Sequence, residues 1–251
     1  MTKNDNLAGR IIIALDVKTR GEALSLVQEL PDAEIFKVGL TLFTSEGPSL
    51  LQEIQKQGKK IFLDLKLHDI PHQIAGAVKA GIGHRIHMMT LHASGGREMM
   101  AQAAEATEQE VQKSGQTKPL LLAVTVLTSL RGEQLRDIGM DDSVNEQVLR
   151  LARLAKDNRM DGVVCSPQEI DLIKKEFGQD FLVVSPGIRP VWAAAQDQKR
   201  ILTPGEAIAK GVDYMVIGRP ITKAATPSEA FLKIVEELNR AVNSSDSKNS
   251  S

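Results

Sequence analysis

Eight short apolar, β-rich runs recur along this chain with helix-patterned stretches between them, and this alternation limits its possible folds more than any other feature. The runs are RIIIALD (10–16), EIFKVGL (34–40), KIFLDLK (60–66), IHMMTLHA (86–93), PLLLAVTVL (119–127), GVVCS (162–166), FLVVSPG (181–187) and YMVIG (214–218). Helical spacing of apolar residues marks GEALSLVQEL (21–30), SLLQEIQKQG (49–58) and AFLKIVEELNRAV (230–242). Ser166-Pro167 and Thr203-Pro204 each put a proline in a first helical turn. Strands that alternate with helices belong in a parallel sheet covered by those helices. Eight such units in 251 residues match the size of a (β/α)8 TIM barrel. An open doubly wound sheet is the alternative, but no G-x-G-x-x-G follows the first run. No linker-like break is present. The expectation is a single α/β domain over residues 1–242, with 243–251 (NSSDSKNSS) a polar, disordered tail.

Composition narrows the partners. The net charge is −1 with 25% charged residues, which argues against nucleic acid or an anionic membrane surface. Aromatics are only 3%, so base-stacking platforms are not expected. The one cysteine, Cys165, cannot form an internal disulfide and fits a reducing compartment. The first residues, MTKNDNLAGR, have no apolar core of a secretory signal, and PLLLAVTVL is too short to span a membrane. These features predict a soluble cytoplasmic protein. His68, His84 and His87 show no metal-ligand spacing, so no metal is expected. Met88, Met89 and Cys165 read as packing residues.

FLDLKLHDIP (62–71) is the anomalous stretch. Its apolar residues suit a strand, yet Asp64 and Lys66 share one face by the period of two, and Asp69 follows. In a (β/α)8 barrel the active site gathers at the C-terminal strand ends. That rule collects Asp16 at the end of strand 1, Lys37 late in strand 2, Asp64 and Lys66 in strand 3, and Asp69 after it. It adds Thr128 after strand 5, Arg189 in PGIR after strand 7, and Gly218-Arg219 after strand 8. Loops after strands 7 and 8 often bind phosphate; glycine lets backbone amides approach an anion and arginine grips it bidentately. The bland alternative is that Gly187 and Gly218 only make turns and that the arginines are solvated.

Asp16, Lys37, Asp64, Lys66 and Asp69 together can form an alternating charge network. Such a network can be purely structural, since buried charges must be paired in any case. It can also be chemical. An ammonium held rigidly between carboxylates stabilises a developing carbanion and gives it a proton. A carboxylate set against a substrate carboxylate disfavours the charged ground state, which loss of CO2 relieves. Decarboxylation without metal or organic cofactor fits; so do proton transfer and an aldol-type step.

Seven motifs stand in a familiar order: IIALD (12–16), FKVG (36–39), DLKLHDIP (64–71), VTVLTS (124–129), SPGIRP (185–190), DQKR (197–200) with Thr203-Pro204, and YMVIGRPIT (214–222). From about Arg10 to Ala241 the chain closely resembles the bacterial orotidine 5′-phosphate decarboxylase family. The resemblance implies decarboxylation of orotidine 5′-monophosphate to UMP and CO2 in de novo pyrimidine synthesis, with no metal and no cofactor. It implies that Asp16 and Lys37 contact the ribose, that Asp64 faces the substrate carboxylate, and that Lys66 protonates C6. Asp69 would complete the network from the other subunit of a homodimer. Thr128 would read the pyrimidine edge. Gln198, Gly218 and Arg219 would hold the phosphate, with Arg189 on or near a closing loop.

One departure matters. The family usually has Asn-Thr after DIP, where this chain has His72-Gln73, so Gln73 must be placed differently to reach the ribose. Trp192 also stands where smaller residues are common, as a cap on the loop or as a packing residue. Two other readings remain. One is a Mg²⁺-using barrel enzyme of the ketogulonate- or hexulose-phosphate type, sharing D-x-K-x-x-D. The other is a non-catalytic nucleotide sensor, which would not need a proton donor.

Overall fold

A computed structural model describes residues 7–130, 132–140, 143–193 and 202–249. Seven of the eight apolar runs contain a strand and the third is outrun by its strand by one residue: β1 Ile11–Ala14, β2 Ile35–Gly39, β3 Lys60–Leu67, β4 Met88–His92, β5 Leu120–Val124, β6 Gly162–Val164, β7 Leu182–Pro186 and β8 Tyr214–Ile217. Helices among the described residues are α1 Arg20–Glu29, α2 Leu40–Glu46, α3 Ser49–Lys56, α4 Pro71–Gly83, α5 Gly96–Ser114, α6 Gly132–Arg136, α7 Val144–Asp157, α8 Ile170–Phe177, α9 Pro204–Ala209, α10 Arg219–Thr222 and α11 Pro227–Asn249. The strands follow one another in sequence order as a closed barrel, the (β/α)8 arrangement. None of the described helices is long and apolar enough to cross a membrane. Assignment of α11 through Asn249 takes in 243–249, the stretch whose composition reads as a polar tail.

By internal contacts the chain divides into residues 1–62 with 185–251, and residues 63–184. Both divisions fall inside strands, β3 and β7, rather than at a linker. In the first unit β1 lies between β2 and β8, all parallel, in the registers Ile12↔Ile35 and Ile12↔Val216. Ile11, Ile12, Ile13, Ile35, Phe36, Met215 and Ile217 are fully or almost fully buried. A strand enclosed on both faces has no reason to alternate, which is why β1 is apolar throughout and β2 is interrupted only by Lys37. Each such side chain contributes about 1.5–3 kcal/mol by leaving water.

In the second unit β4, β5, β6 and β7 pair in parallel succession. Gly162 opens β6 opposite Leu182, and a Cβ there would collide with the Leu182 backbone carbonyl. Glycine is required at that position by the close approach of two strands. Met88 and Met89 pack in the core as expected, and Cys165 is buried with its thiol pKa pushed up by desolvation.

Local signals start the helices. Thr19 and Glu22 form a capping box on α1, Ser143 and Glu146 on α7, and Thr203 and Glu206 on α9. In each box the hydroxyl accepts from an otherwise orphaned helix amide and the glutamate accepts from the cap's own amide. These reciprocal bonds pull the Glu146 and Glu206 carboxyls below their ordinary pKa range.

Candidate active site

Within the second unit, β3 and β4 build a polar cluster in which Asp64 and Thr90 are buried and Lys66 is part-exposed. Asp64 and Lys66, two residues apart on β3, form an ion pair with Nζ–Oδ2 at 2.8 Å, as the alternation of a strand predicts. The other carboxylate oxygen of Asp64, Oδ1, accepts from the Thr90 hydroxyl of β4 at 2.9 Å. That hydroxyl in turn accepts from the Lys66 backbone N–H, also at 2.9 Å. Thr90 is completely buried. Lys66 has φ 51°, a left-handed conformation that is uncommon for a residue other than glycine. Strain of this kind persists where surrounding bonds over-determine it, and it concentrates at functional sites.

Two residues past Thr90, His92 ends β4 with its ring 5.5 Å from that of His68. Burial first, and then the neighbouring His68 ring and Lys66 ammonium, hold the His92 pKa below its ordinary value. Asp69 stands apart from this cluster. It is exposed, makes no ion pair among the described residues, and accepts from the Ile70 N–H at 2.6 Å. His72 and Gln73 are exposed on the first turn of α4. Thr128 is exposed in the turn after β5, where the Leu130 N–H donates to the Leu127 carbonyl at 2.9 Å.

The first unit carries two further groupings. Lys37 is the middle residue of β2 rather than late in it, and its ammonium reaches Asp16 Oδ1 at 3.1 Å. Asp16 lies two residues beyond β1 instead of ending it. Leu15 still bonds the Lys37 carbonyl at 3.0 Å, and the chain then leaves the sheet. Lys37 is buried while the Asp16 side chain is 68% exposed, so the pair presents its carboxylate to solvent. Gly39 leaves room for the Lys37 ammonium: a Cβ there would lie 3.0 Å from Nζ, a tight contact.

The second grouping is a cleft of about 360 Å³ lined by Arg189, Trp192, Ala193, Arg219, Pro220, Lys223 and Ala224. Arg189 follows β7 through Gly187, whose φ of 81° suits glycine, and Arg219 follows β8 through Gly218. Three cationic side chains in one small cleft make it fit for an anion. Trp192, half-exposed, forms part of its wall. Gln198 and the rest of DQKR lie outside the described residues.

Two residues of these groupings are not visible in sequence reasoning. Thr90 sits in the apolar run MMTLH, where a threonine reads as ordinary β propensity. Lys223 stands four residues after Arg219, a helical spacing that could have suggested a second cation on the same side. Among the described residues no group of three or more His, Cys, Asp or Glu side chains is placed to hold a metal ion.

The model of the orotidine 5′-phosphate decarboxylase / HUMPS family matches residues 9–234. The chain belongs to that family. It is 50% identical to a protein of Syntrophomonas wolfei named orotidine 5′-phosphate decarboxylase, over 91% of this chain and 97% of that one. A Nostoc relative of the same name is 47% identical over 93% of this chain and 98% of its own length. The crystal structure of orotidine 5′-phosphate decarboxylase from Lactobacillus acidophilus superposes with a TM-score of 0.82 at 38% identity, covering 91% of this chain and 98% of that one. The family match spans every strand described above, and with it Asp16, Lys37, Asp64, Lys66, Thr90 and Arg219.

Proposed function

We propose that this chain decarboxylates orotidine 5′-monophosphate to UMP and CO2, using neither metal nor organic cofactor. The observation that carries this reading is the Asp64–Lys66 pair: a buried carboxylate held at both oxygens, with an ammonium 2.8 Å away. It occurs in a chain about half identical to proteins named for that activity. In the proposed reaction Asp64 faces the carboxylate that leaves. Its fixed negative charge raises the ground state, and that repulsion ends as CO2 departs. Lys66 stabilises the negative charge developing at C6 and then protonates that carbon.

Asp16 and Lys37 hold the ribose, the exposed carboxylate of Asp16 accepting from a hydroxyl. Arg219 and Arg189, with Gly218 and Gln198, take the phosphate; the cationic cleft supports this assignment for the two arginines. Thr128 reads the pyrimidine edge, and Gln73 contacts the ribose from a neighbouring subunit. Asp69 acts from the other chain of a homodimer. Its exposure and its lack of an ion pair among the described residues support that role.

The test is direct. Purified protein is mixed with orotidine 5′-monophosphate, and pyrimidine absorbance and CO2 release are followed with and without EDTA. Turnover insensitive to EDTA is expected. Absence of turnover by folded protein sinks the reading, and a requirement for Mg²⁺ moves it to the ketogulonate- or hexulose-phosphate type.

A further inference from the structure

We infer that Thr90 is a positioning residue of this reaction, setting Asp64 and Lys66 through one hydroxyl. The inference rests on the decarboxylase reading above. A threonine hydroxyl has a single proton and two lone pairs. An ionised carboxylate only accepts, so the proton goes to Asp64 Oδ1, 2.9 Å away. A lone pair then receives the Lys66 amide proton, at 2.9 Å. The pattern closes on itself. Lys66 is held at its backbone by Thr90 and at its ammonium by Asp64, while Asp64 is held at one oxygen by Thr90 and at the other by Lys66.

Three features make this more than a satisfied core hydroxyl. The amide that Thr90 receives belongs to a residue at φ 51°, so the bond supports a backbone conformation that a lysine would otherwise leave. Thr90 is 0% exposed, and no solvent can replace its bonds without rearrangement. Its β-branched side chain is stiff at χ1, so the hydroxyl is a fixed point rather than a rotor. Thr90 touches none of the reacting atoms in this reading; it acts through Asp64 and Lys66.

The test compares Thr90→Val, which keeps the shape and deletes the hydroxyl, with Thr90→Ser, which keeps the hydroxyl. Thr90→Val is expected to lower kcat about tenfold to a hundredfold, the cost of misplacing a catalytic group by about 1 Å. KM should stay within about threefold, because binding groups are untouched, and Thr90→Ser should recover kcat to within about threefold of wild type. In a crystal structure of Thr90→Val, Lys66 should leave positive φ. Wild-type kcat in Thr90→Val, or equal loss in Thr90→Ser, overturns the inference. Should Thr90→Val fail to fold, Thr90→Ala set against Thr90→Ser decides on the same terms. An inactive wild-type chain refutes the decarboxylase reading instead. The crystal structure then decides whether the hydroxyl sets the site's geometry: an unmoved Lys66 overturns that too.

Discussion

Lys66 occupies a backbone conformation, φ 51°, that costs an L residue about 1–2 kcal/mol and costs glycine little. A prediction follows that separates backbone from side chain. Lys66→Ala and Lys66→Gly should both abolish turnover, since neither carries an ammonium. At an ordinary strand position alanine is the more stable of the two; here the order should invert. Lys66→Gly should melt about 2–4 °C above Lys66→Ala, the shift expected from about 1 kcal/mol in a chain of this size. Thermal unfolding followed by circular dichroism measures this, and an alanine variant as stable as the glycine variant would refute the strain. The shared face of Asp64 and Lys66 is legible in FLDLKLHDIP because a strand has a period of two. The positive φ is not, since lysine carries no mark of it. Nor is Thr90's part, because 24 residues separate it from Lys66 and only strand pairing brings them together.

At the scale of the elements, β6 depends on the absence of a side chain. Gly162 faces Leu182 so closely that a Cβ would enter the Leu182 carbonyl. That atom is backbone of the paired strand β7 and cannot swing aside as a flexible side chain would. Gly162→Ala should therefore destabilise the fold by about 2 kcal/mol or more, against the usual stabilising effect of alanine over glycine in a strand. Urea denaturation of the variant checks this, and unchanged stability would show that β6 and β7 have room to part. The existence of the strands could be read from their apolar runs, since strands covered on both faces are mostly apolar, Lys37, Asp64 and Thr90 being exceptions that belong to the site. Their ends were less legible. PLLLAVTVL reads as one run to Leu127, broken only by Thr125, yet β5 stops at Val124. Thr125 there turns its hydroxyl onto the Val164 carbonyl at 3.1 Å. Pairing partners decide where a strand stops, and they are distant in sequence.

For the whole molecule, the alternation of apolar runs and helices carried the fold class, but one chain's sequence does not display a subunit boundary. Asp69 is where that boundary enters the proposed chemistry. It lies in the same motif as Asp64 and Lys66, yet its carboxylate accepts from its own neighbour's amide, and Ile70 beside it is 64% exposed. An exposed isoleucine next to a carboxylate with no ion pair among the described residues is what a surface completed by a second copy would present. If Asp69 acts across that surface, Lys66→Ala and Asp69→Ala homodimers both lack a complete site. A mixed dimer has one site with both native residues and one with neither. Equal mixing makes about half of the dimers mixed, so activity should return to at most about a quarter of wild type. Co-expression with two different tags isolates the mixed species for assay. No recovery in confirmed mixed dimers would place Asp69 in its own chain's site, because an aspartate acting in cis leaves every site in the mixture one residue short.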